Sequence, residues 1–350
     1  MCLRRSISTA AGAAWTLLLL LWLGYALQVE GGSAVLDTEG IAQWQAALND
    51  AASPPRQPTS GPGGSDYSHA SFTKTRINFG FFQGYFVYRP AQPRLANAPF
   101  MVYVHGAGQT EPKTYEPMFR HFARKGFLVV FPIYFLNAQA EVEAAYRDAL
   151  SRFPAPPMVA FAGHSLGAML GFQMAIRSVV DPTAVPRGPD VLVLHDPAGK
   201  LFFGPQLLQN ASMLTASLLV VQAETSSSVP PDNNNSYALE VFTQTPAGLT
   251  KNFLRVRTDR YGTPDLISNH GGVASGPDAF GVNLPLNAID WHGYWRPTEG
   301  GFREAFGTPF SGYSAFCRSA TASCDPVRDM GLWSDGTPVV KIQNAGDLGL

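Results

Sequence analysis

The chain has 350 residues, of which 45% are hydrophobic and 15% charged, a composition that suits one large globular core. Its formal net charge of −1 supplies neither a basic field for nucleic acid nor an acidic tail, so we expect no nucleic-acid partner. The sequence shows no internal repeat and no heptad run, which favours an enzyme-like globule over a scaffold.

The N-terminal segment, residues 1–30, has the pattern of a targeting signal. Arg4 and Arg5 precede an apolar stretch centred on residues 15–23. A positive start and a short apolar run predict a secretory signal peptide, with small residues that allow cleavage after Ala26. An uncleaved membrane anchor is the alternative, because about 20 apolar residues are enough to span a bilayer. Both interpretations predict an exported protein, either secreted or periplasmic, or held at the membrane by this segment.

Residues 31–71 contain runs rich in proline and glycine, at 53–55 and at 61–65. Such runs are typical of flexible linkers. The sequence therefore predicts a flexible spacer over residues 31–71 and a folded domain that begins at residue 72.

Strand and helix patterns alternate from residue 72 onward. The predicted strands are residues 81–89, 100–104, 126–131, 158–162, 190–194, 217–221 and 253–256. The predicted helices are residues 115–125, 138–152 and 166–179. This alternation predicts an α/β fold with a mostly parallel central sheet and helices on both faces. Functional sites of such sheets lie at the carboxyl ends of the strands, and we expect the catalytic domain to span residues 72–316.

The segment Gly163-His-Ser-Leu-Gly167 fits the pattern G-x-S-x-G between a predicted strand and a predicted helix. This is the context of a nucleophile elbow, a turn so tight that the two flanking positions must be glycine. The pattern predicts that Ser165 is a nucleophile whose oxygen is exposed at the carboxyl edge of the sheet. A tight structural turn without chemistry is the alternative.

A serine nucleophile needs a base within hydrogen-bond reach and a third group that orients the base. In this chain order the base follows the serine, and His270 lies on a loop after the last predicted strand, followed by two glycines. We therefore predict that His270 is the base, with a loop-capping histidine as the alternative. We expect His105 to brace its loop and His164 to be a packed residue that points away from the serine oxygen.

Several carboxylates compete for the role of the third group. Glu224 directly follows a predicted strand and is preferred, whereas Asp196 follows the preceding strand and is the alternative acid. Asp259 and Asp265 lie close to His270 in sequence and remain as further candidates, as braces of its loop.

The tetrahedral intermediate of acyl transfer needs backbone N–H donors. We expect one from Leu166, just after the nucleophile, and one from Ala107 or Gly108 in the segment His105-Gly-Ala-Gly108. A plain glycine-rich turn is the alternative. This chemistry calls for no cofactor and no metal.

Cys317 and Cys324 form a pair in a C-terminal extension, residues 317–350. In an exported protein this pair predicts one local disulfide, with two buried thiols as the alternative.

The segments that carry this chemistry resemble those of the α/β-hydrolase superfamily over residues 72–316. The matching segments are His105-Gly-Ala-Gly108, Gly163-His-Ser-Leu-Gly167, Val220-Val-Gln-Ala-Glu224 and Asp265-Leu-Ile-Ser-Asn-His270. The sequence resembles exported cutinase-like and polyester-hydrolase-like enzymes and is similar to chlorophyllases and platelet-activating-factor acetylhydrolases. The resemblance implies an α/β-hydrolase fold and a serine esterase or lipase that forms an acyl-enzyme with small-molecule or lipid-like esters. Ser226 stands where cutinase-like enzymes usually have an aspartate. This departure affects the assignment of the acid more than that of the fold.

Two other functions remain compatible with the sequence. One is a non-catalytic binding protein on the same fold, because a fold does not determine a function. The other is an acyltransferase, in which an alcohol replaces water in the second step. A set of aromatic residues could line a substrate site or belong to the core: Phe81, Phe82, Trp291, Tyr294, Trp295 and Phe302.

Overall fold

The computed structural model describes residues 51–79, 83–135, 137–153, 156–199, 208–225, 234–276, 284–317 and 324–350. The predicted signal or anchor at residues 1–30 and the first part of the predicted spacer lie outside the described residues. So do Phe81 and Phe82, which begin a predicted strand. Within the described part of the chain, no helix is long and apolar enough to cross a bilayer.

A central sheet organises the unit formed by Ala52–Leu350. Its strands are β1 Phe72–Asn78, β2 Gly84–Pro90, β3 Phe100–Val104, β4 Leu128–Ile133, β5 Val159–His164, β6 Val191–His195, β7 Ser217–Ala223, β8 Lys251–Val256 and β9 Gln343–Asn344. Their spatial order is β1-β2-β4-β3-β5-β6-β7-β8-β9. Strands β3 to β8 run parallel, whereas β1 and β2 at one edge and β9 at the other pair antiparallel. The predicted mostly parallel sheet is confirmed.

The helices follow the strands in the predicted alternation. They are α1 Glu116–Arg124, α2 Ala138–Arg152, α3 Leu166–Val180, α4 Asn234–Gln244, α5 Arg296–Ala305 and α6 Asp325–Arg328, with a 3-10 turn at Pro112–Tyr115 and a π-helix at Ile289–Trp295. In α3 nearly every residue from Leu166 to Ile176 is buried. Such a helix is stable only when packed on a sheet, because isolated helices of this length are marginal in water.

Successive side chains of each strand point to opposite faces, so the sheet has two hydrophobic cores. In β3, Val102 and Val104 face the core under α2, α3 and α4. Met101 and Tyr103 face the core under α1 and α5. Each fully buried side chain of this kind contributes roughly 1.5–3 kcal/mol to folding. Helices on both faces are thus explained by strands that are apolar on both sides.

The two regions that flank the predicted catalytic domain also pack on this unit. Residues 52–71 were expected to be flexible, yet the N–H of Gly63 donates to buried Glu299 Oε2 at 2.9 Å and His69 is buried. The prediction of a flexible spacer is therefore wrong for this part, because its backbone amides find partners without forming helix or strand. At the other end, Trp333 is buried and β9 extends the sheet beside β8.

The C-terminal cysteine pair and several of the aromatic residues lie within the described part of the chain. Cys317 and Cys324 are joined by a disulfide, as expected. Among the aromatic residues proposed for either a substrate site or the core, Tyr294, Trp295 and Phe302 are buried in the core beneath α5 and the π-helix.

Candidate active site

Ser165 lies at a sharp turn between the end of β5 and the start of α3. Its backbone has φ 56° and ψ −124°, a conformation that is strained for any residue other than glycine. A side chain at Gly167 would overlap the backbone oxygens of Val104 and His105, and one at Gly163 would lie 2.6 Å from the carbonyl oxygen of Gly167. The two glycines of the motif are therefore required by close packing of β3, β5 and α3, and the serine is held at the carboxyl edge of the sheet.

The structure brings Ser165 and His270 together, although 105 positions separate them in the chain. Nε2 of His270 lies 2.9 Å from Oγ of Ser165. The hydroxyl donates to a neutral Nε2, which leaves the ring proton on Nδ1. Burial, and then the nearby His164, lower the pKa of His270 to about 3, so its imidazole is neutral.

The third group expected on Nδ1 of His270 is absent from the described residues. This atom is buried and has no hydrogen-bond partner there. Glu224, the predicted acid, instead binds Nε of Arg257 through one oxygen and the N–H of Thr258 at 2.8 Å through the other. Chain order placed Glu224 at the correct strand end, but Arg257 follows the adjacent strand β8 and attracts its carboxylate.

The alternative acids are also engaged elsewhere. Asp196 accepts hydrogen bonds from the N–H of Ala223 at 2.7 Å and from the hydroxyl of Tyr294 at 2.6 Å. Asp265 pairs with Arg260, and Asp259 accepts from the indole of Trp333. None of these described carboxylates contacts His270, so the prediction of an acid from chain order alone does not hold in this structure.

His164 and Tyr115 form hydrogen bonds beside the Ser165–His270 pair. Nε2 of His164 lies 2.7 Å from the carbonyl oxygen of His270, and Nδ1 of His164 lies 2.8 Å from the hydroxyl of Tyr115. Burial lowers the pKa of His164 to about 4. His164 is packed and turned away from the serine oxygen, as expected, but its bond to the base loop was not foreseen. Tyr115 carries no sequence signal for this position.

The loop after β3 passes directly beside the elbow. A side chain at Gly106 would lie 3.0 Å from Nδ1 of His164 and 3.4 Å from Cβ of Ser165. His105 braces this loop, as expected: its Nδ1–H donates to the carbonyl of Gly106 at 2.7 Å. The hydroxyl of Tyr134 donates to the carbonyl of His105 at 2.7 Å, and the two rings stack with centroids 4.0 Å apart.

The predicted oxyanion donors lie on these same two segments. Leu166 is the first residue of α3, so its N–H has no acceptor within the helix. Ala107 is half-buried and Gly108 is exposed with φ +78°, in the loop next to Ser165. Backbone N–H groups at a helix N-terminus and in an adjacent loop can together stabilise a developing oxyanion.

The described part of the chain contains no group of three or more His, Cys, Asp or Glu residues able to hold a metal ion.

No protein-family model matches the chain, and no curated protein matches it. It is similar to carboxyl esterase 2 from the mycorrhizal fungus Tuber melanosporum, with a TM-score of 0.44 and 17% identity, covering 62% of this chain and 87% of that one. Esterase B from Lactobacillus Rhamnosis has a TM-score of 0.46 and 15% identity, covering 71% and 85%. The thioesterase domain from the curacin biosynthetic pathway has 0.39 and 13%, covering 57% and 94%.

A mostly parallel sheet with helices on both faces, and a nucleophile elbow between its fifth strand and the following helix, is the α/β-hydrolase fold. This chain has that fold. The narrower resemblance to cutinase-like enzymes, chlorophyllases and platelet-activating-factor acetylhydrolases stays a prediction.

Proposed function

We propose that the protein is a serine hydrolase that cleaves carboxylic esters through an acyl-enzyme. The observation that carries this proposal is the 2.9 Å contact between Oγ of Ser165 and Nε2 of a neutral His270. A serine hydroxyl is a weak nucleophile until a base removes its proton, and this contact supplies the base.

The reaction has two halves that use the same two residues. Oγ of Ser165 attacks the ester carbonyl while its proton passes to Nε2 of His270, and the charge that develops on the carbonyl oxygen is met by the N–H of Leu166 and of Ala107 or Gly108. The C–O bond to the alcohol breaks, and the alcohol leaves with the proton from His270. Water then attacks the acyl-enzyme, gives its proton to His270, and the carboxylic acid leaves as that proton returns to Ser165.

The surroundings of the pair favour an uncharged substrate. No lysine or arginine side chain is hydrogen-bonded to residues 105–108, 164, 165 or 270 in the described structure. Arg257, a cation just after the end of β8, is already paired with Glu224. A small-molecule or lipid-like ester therefore fits this site better than an anionic metabolite.

We propose further that the protein acts outside the cytoplasm. The apolar segment after Arg4 and Arg5 supports export, either by a cleaved signal or with an uncleaved anchor. The Cys317–Cys324 disulfide is consistent with an oxidising compartment.

A fluorophosphonate probe tests the function directly, because it labels only a serine that is activated within a folded site. We expect labelling of the wild type and none of Ser165→Ala, together with hydrolysis of p-nitrophenyl esters by the wild type alone. The buried Nδ1 of His270, without a described acid, favours one rival: a non-catalytic binding protein. Folded wild-type protein that is neither labelled nor hydrolytic would contradict the proposed hydrolase.

A further inference from the structure

We infer that His164, the residue just before the nucleophile, is the positioning residue for the base and holds His270 by its backbone carbonyl. This inference rests on the function proposed above. His164 touches neither the serine oxygen nor a proton in transfer; it acts through the loop that carries His270.

The hydrogen bonds around His164 have only one consistent direction. A carbonyl oxygen can only accept, so Nε2 of His164 carries a proton and donates it to His270 over 2.7 Å. A neutral imidazole then has a bare Nδ1, which accepts from the hydroxyl of Tyr115 over 2.8 Å. The oxygen of Tyr115 accepts in turn from the N–H of Gly106 over 3.2 Å. Tyr115 thus selects the tautomer of His164 that can bind the base loop.

The hydrogen bond from His164 supports the base at its main chain and not at its ring. A third group normally orients the base through Nδ1, but in His270 this atom has no partner among the described residues. The main chain of His270 is instead held by His164, whose ring centroid lies 4.9 Å from that of His270. The bond from His164 thus fixes the backbone position from which the ring of His270 projects.

Other contacts restrict the same loop to one path. Thr225 forms a parallel bridge with Asn269 just before the base, and the N–H of Gly272 returns to the carbonyl of Asn269 at 2.8 Å. Further along, the N–H of Ser275 donates to the carbonyl of Thr114 at 3.0 Å. His164 is the contact made at the base residue itself, between these two points.

The same hydrogen bonds also link the base to the oxyanion loop. Gly106 lies in the loop that presents Ala107 and Gly108, and its N–H begins the series that ends at His270. One buried tyrosine and one buried histidine therefore hold the base loop and the oxyanion loop at fixed positions relative to Ser165. Groups held in advance in this way need no rearrangement when charge develops.

The test compares two substitutions of similar size that differ in one donor. In His164→Gln the amide can still donate to the carbonyl of His270, whereas His164→Met cannot. We expect kcat for a p-nitrophenyl ester to fall about 10- to 100-fold in His164→Met with KM changed less than about 3-fold, because small misplacement of a catalytic group has effects of this size. His164→Gln should recover at least half of that loss on a logarithmic scale.

His195 provides the matched control. It is the register partner of His164 on β6, it is also buried, and its ring binds the hydroxyl of Thr298 and not the base loop. His195→Met and His195→Gln should have equal kcat values, since the hydrogen bonds that the His195 ring makes do not reach the base loop. If the loss of any buried histidine lowered kcat, the substitutions at His164 and at His195 would lower it by similar factors. That result would overturn the inference.

Tyr115→Phe keeps the test decisive if His164→Met does not fold. This variant removes the donor that selects the tautomer, and we expect kcat to fall about 3- to 10-fold at unchanged KM, as for loss of one orienting hydrogen bond. If His164→Met folds and has the wild-type kcat, while the wild type is labelled at Ser165, the positioning role is contradicted. If His164→Met does not fold, a wild-type kcat in Tyr115→Phe contradicts it under the same condition. Absence of labelling in the wild type contradicts the proposed function instead, so the two failures are distinguishable.

Discussion

Glu224 and Arg257 form an ion pair across the ends of the neighbouring strands β7 and β8. Both oxygens of the carboxylate are occupied, by the guanidinium and by the N–H of Thr258. A glutamate in the usual place of a catalytic acid thus serves to join two strand ends.

The first prediction concerns this pair. We expect Glu224→Gln to retain kcat within about 2-fold and to lower the free energy of unfolding by at most about 1 kcal/mol, because both partners are partly exposed to solvent. Steady-state kinetics and thermal denaturation measure the two quantities. A fall in kcat of about 10⁴-fold, as for loss of a triad acid, would show that Glu224 orients His270 during the reaction.

The second prediction concerns the elbow. Gly167→Ala places a methyl group against the backbone of Val104 and His105, which cannot move aside. We therefore expect loss of ester hydrolysis and a free energy of unfolding lowered by about 3 kcal/mol or more. Gly171→Ala lies one turn further along α3, and its new methyl would be 3.8 Å from Leu192. This control should be stabilised by up to about 1 kcal/mol. Equal unfolding midpoints for the two variants would contradict the close packing at the elbow.

The third prediction concerns stability and pH. Burial lowers the pKa of five described histidines to about 3 or 4: His105, His164, His195, His270 and His292. The unfolded chain therefore binds more protons than the folded protein below the ordinary histidine pKa of about 6.5. Stability should fall as pH drops from about 6.5 towards 4, by up to about 1.4 kcal/mol per pH unit for each histidine.

One carboxyl group opposes this trend. Burial raises the pKa of Asp290 to about 7, so its neutral form is favoured in the folded protein and acid relieves its cost. Urea denaturation between pH 4 and pH 8 measures how the free energy of unfolding changes with pH when both effects are combined. A stability that is constant from pH 7 to pH 5 would contradict burial of the neutral histidines.

The fourth prediction concerns the pH dependence of catalysis. His270 must be neutral to act as a base, and its pKa of about 3 keeps it neutral throughout the range in which the protein is folded. We expect kcat/KM to stay level as pH falls below 6.5 and then to be lost together with the circular dichroism signal of the folded state. An acid limb centred near 6.5 in fully folded enzyme would show that the base titrates as an ordinary histidine.

The fifth prediction concerns the attachment of residues 52–71. Buried Glu299 accepts from the N–H of Gly63 and is paired with Lys125 and Arg303, so Glu299→Gln removes the buried counter-charge of these two cations. We expect destabilisation of about 3–5 kcal/mol, measured by urea denaturation. Asp148→Asn, whose pair with Arg152 is partly exposed to solvent, is the control and should cost less than about 1 kcal/mol. Similar losses in both variants would indicate that Glu299 does not hold this segment.

The sequence by itself determined the sheet, the elbow and the pair Ser165–His270. Strands that are apolar on both faces have few alternatives to a covered parallel sheet, and two glycines around a serine are demanded by local sterics. Chain order was then enough to select one histidine of seven. Polar edge strand β1 and the two-residue strand β9 carry too weak a pattern to be predicted.

Only the tertiary structure decided which polar groups meet at the site. Arg257 captures Glu224, Tyr294 donates to Asp196, and Tyr115 directs His164 towards the carbonyl of His270. Residues 52–71 likewise look like a linker in sequence but are held by Glu299, which lies more than 200 positions away. The physical reason is that apolar burial depends on periodicity within a segment, whereas a hydrogen bond depends on ångström-scale geometry between segments that the chain order does not specify.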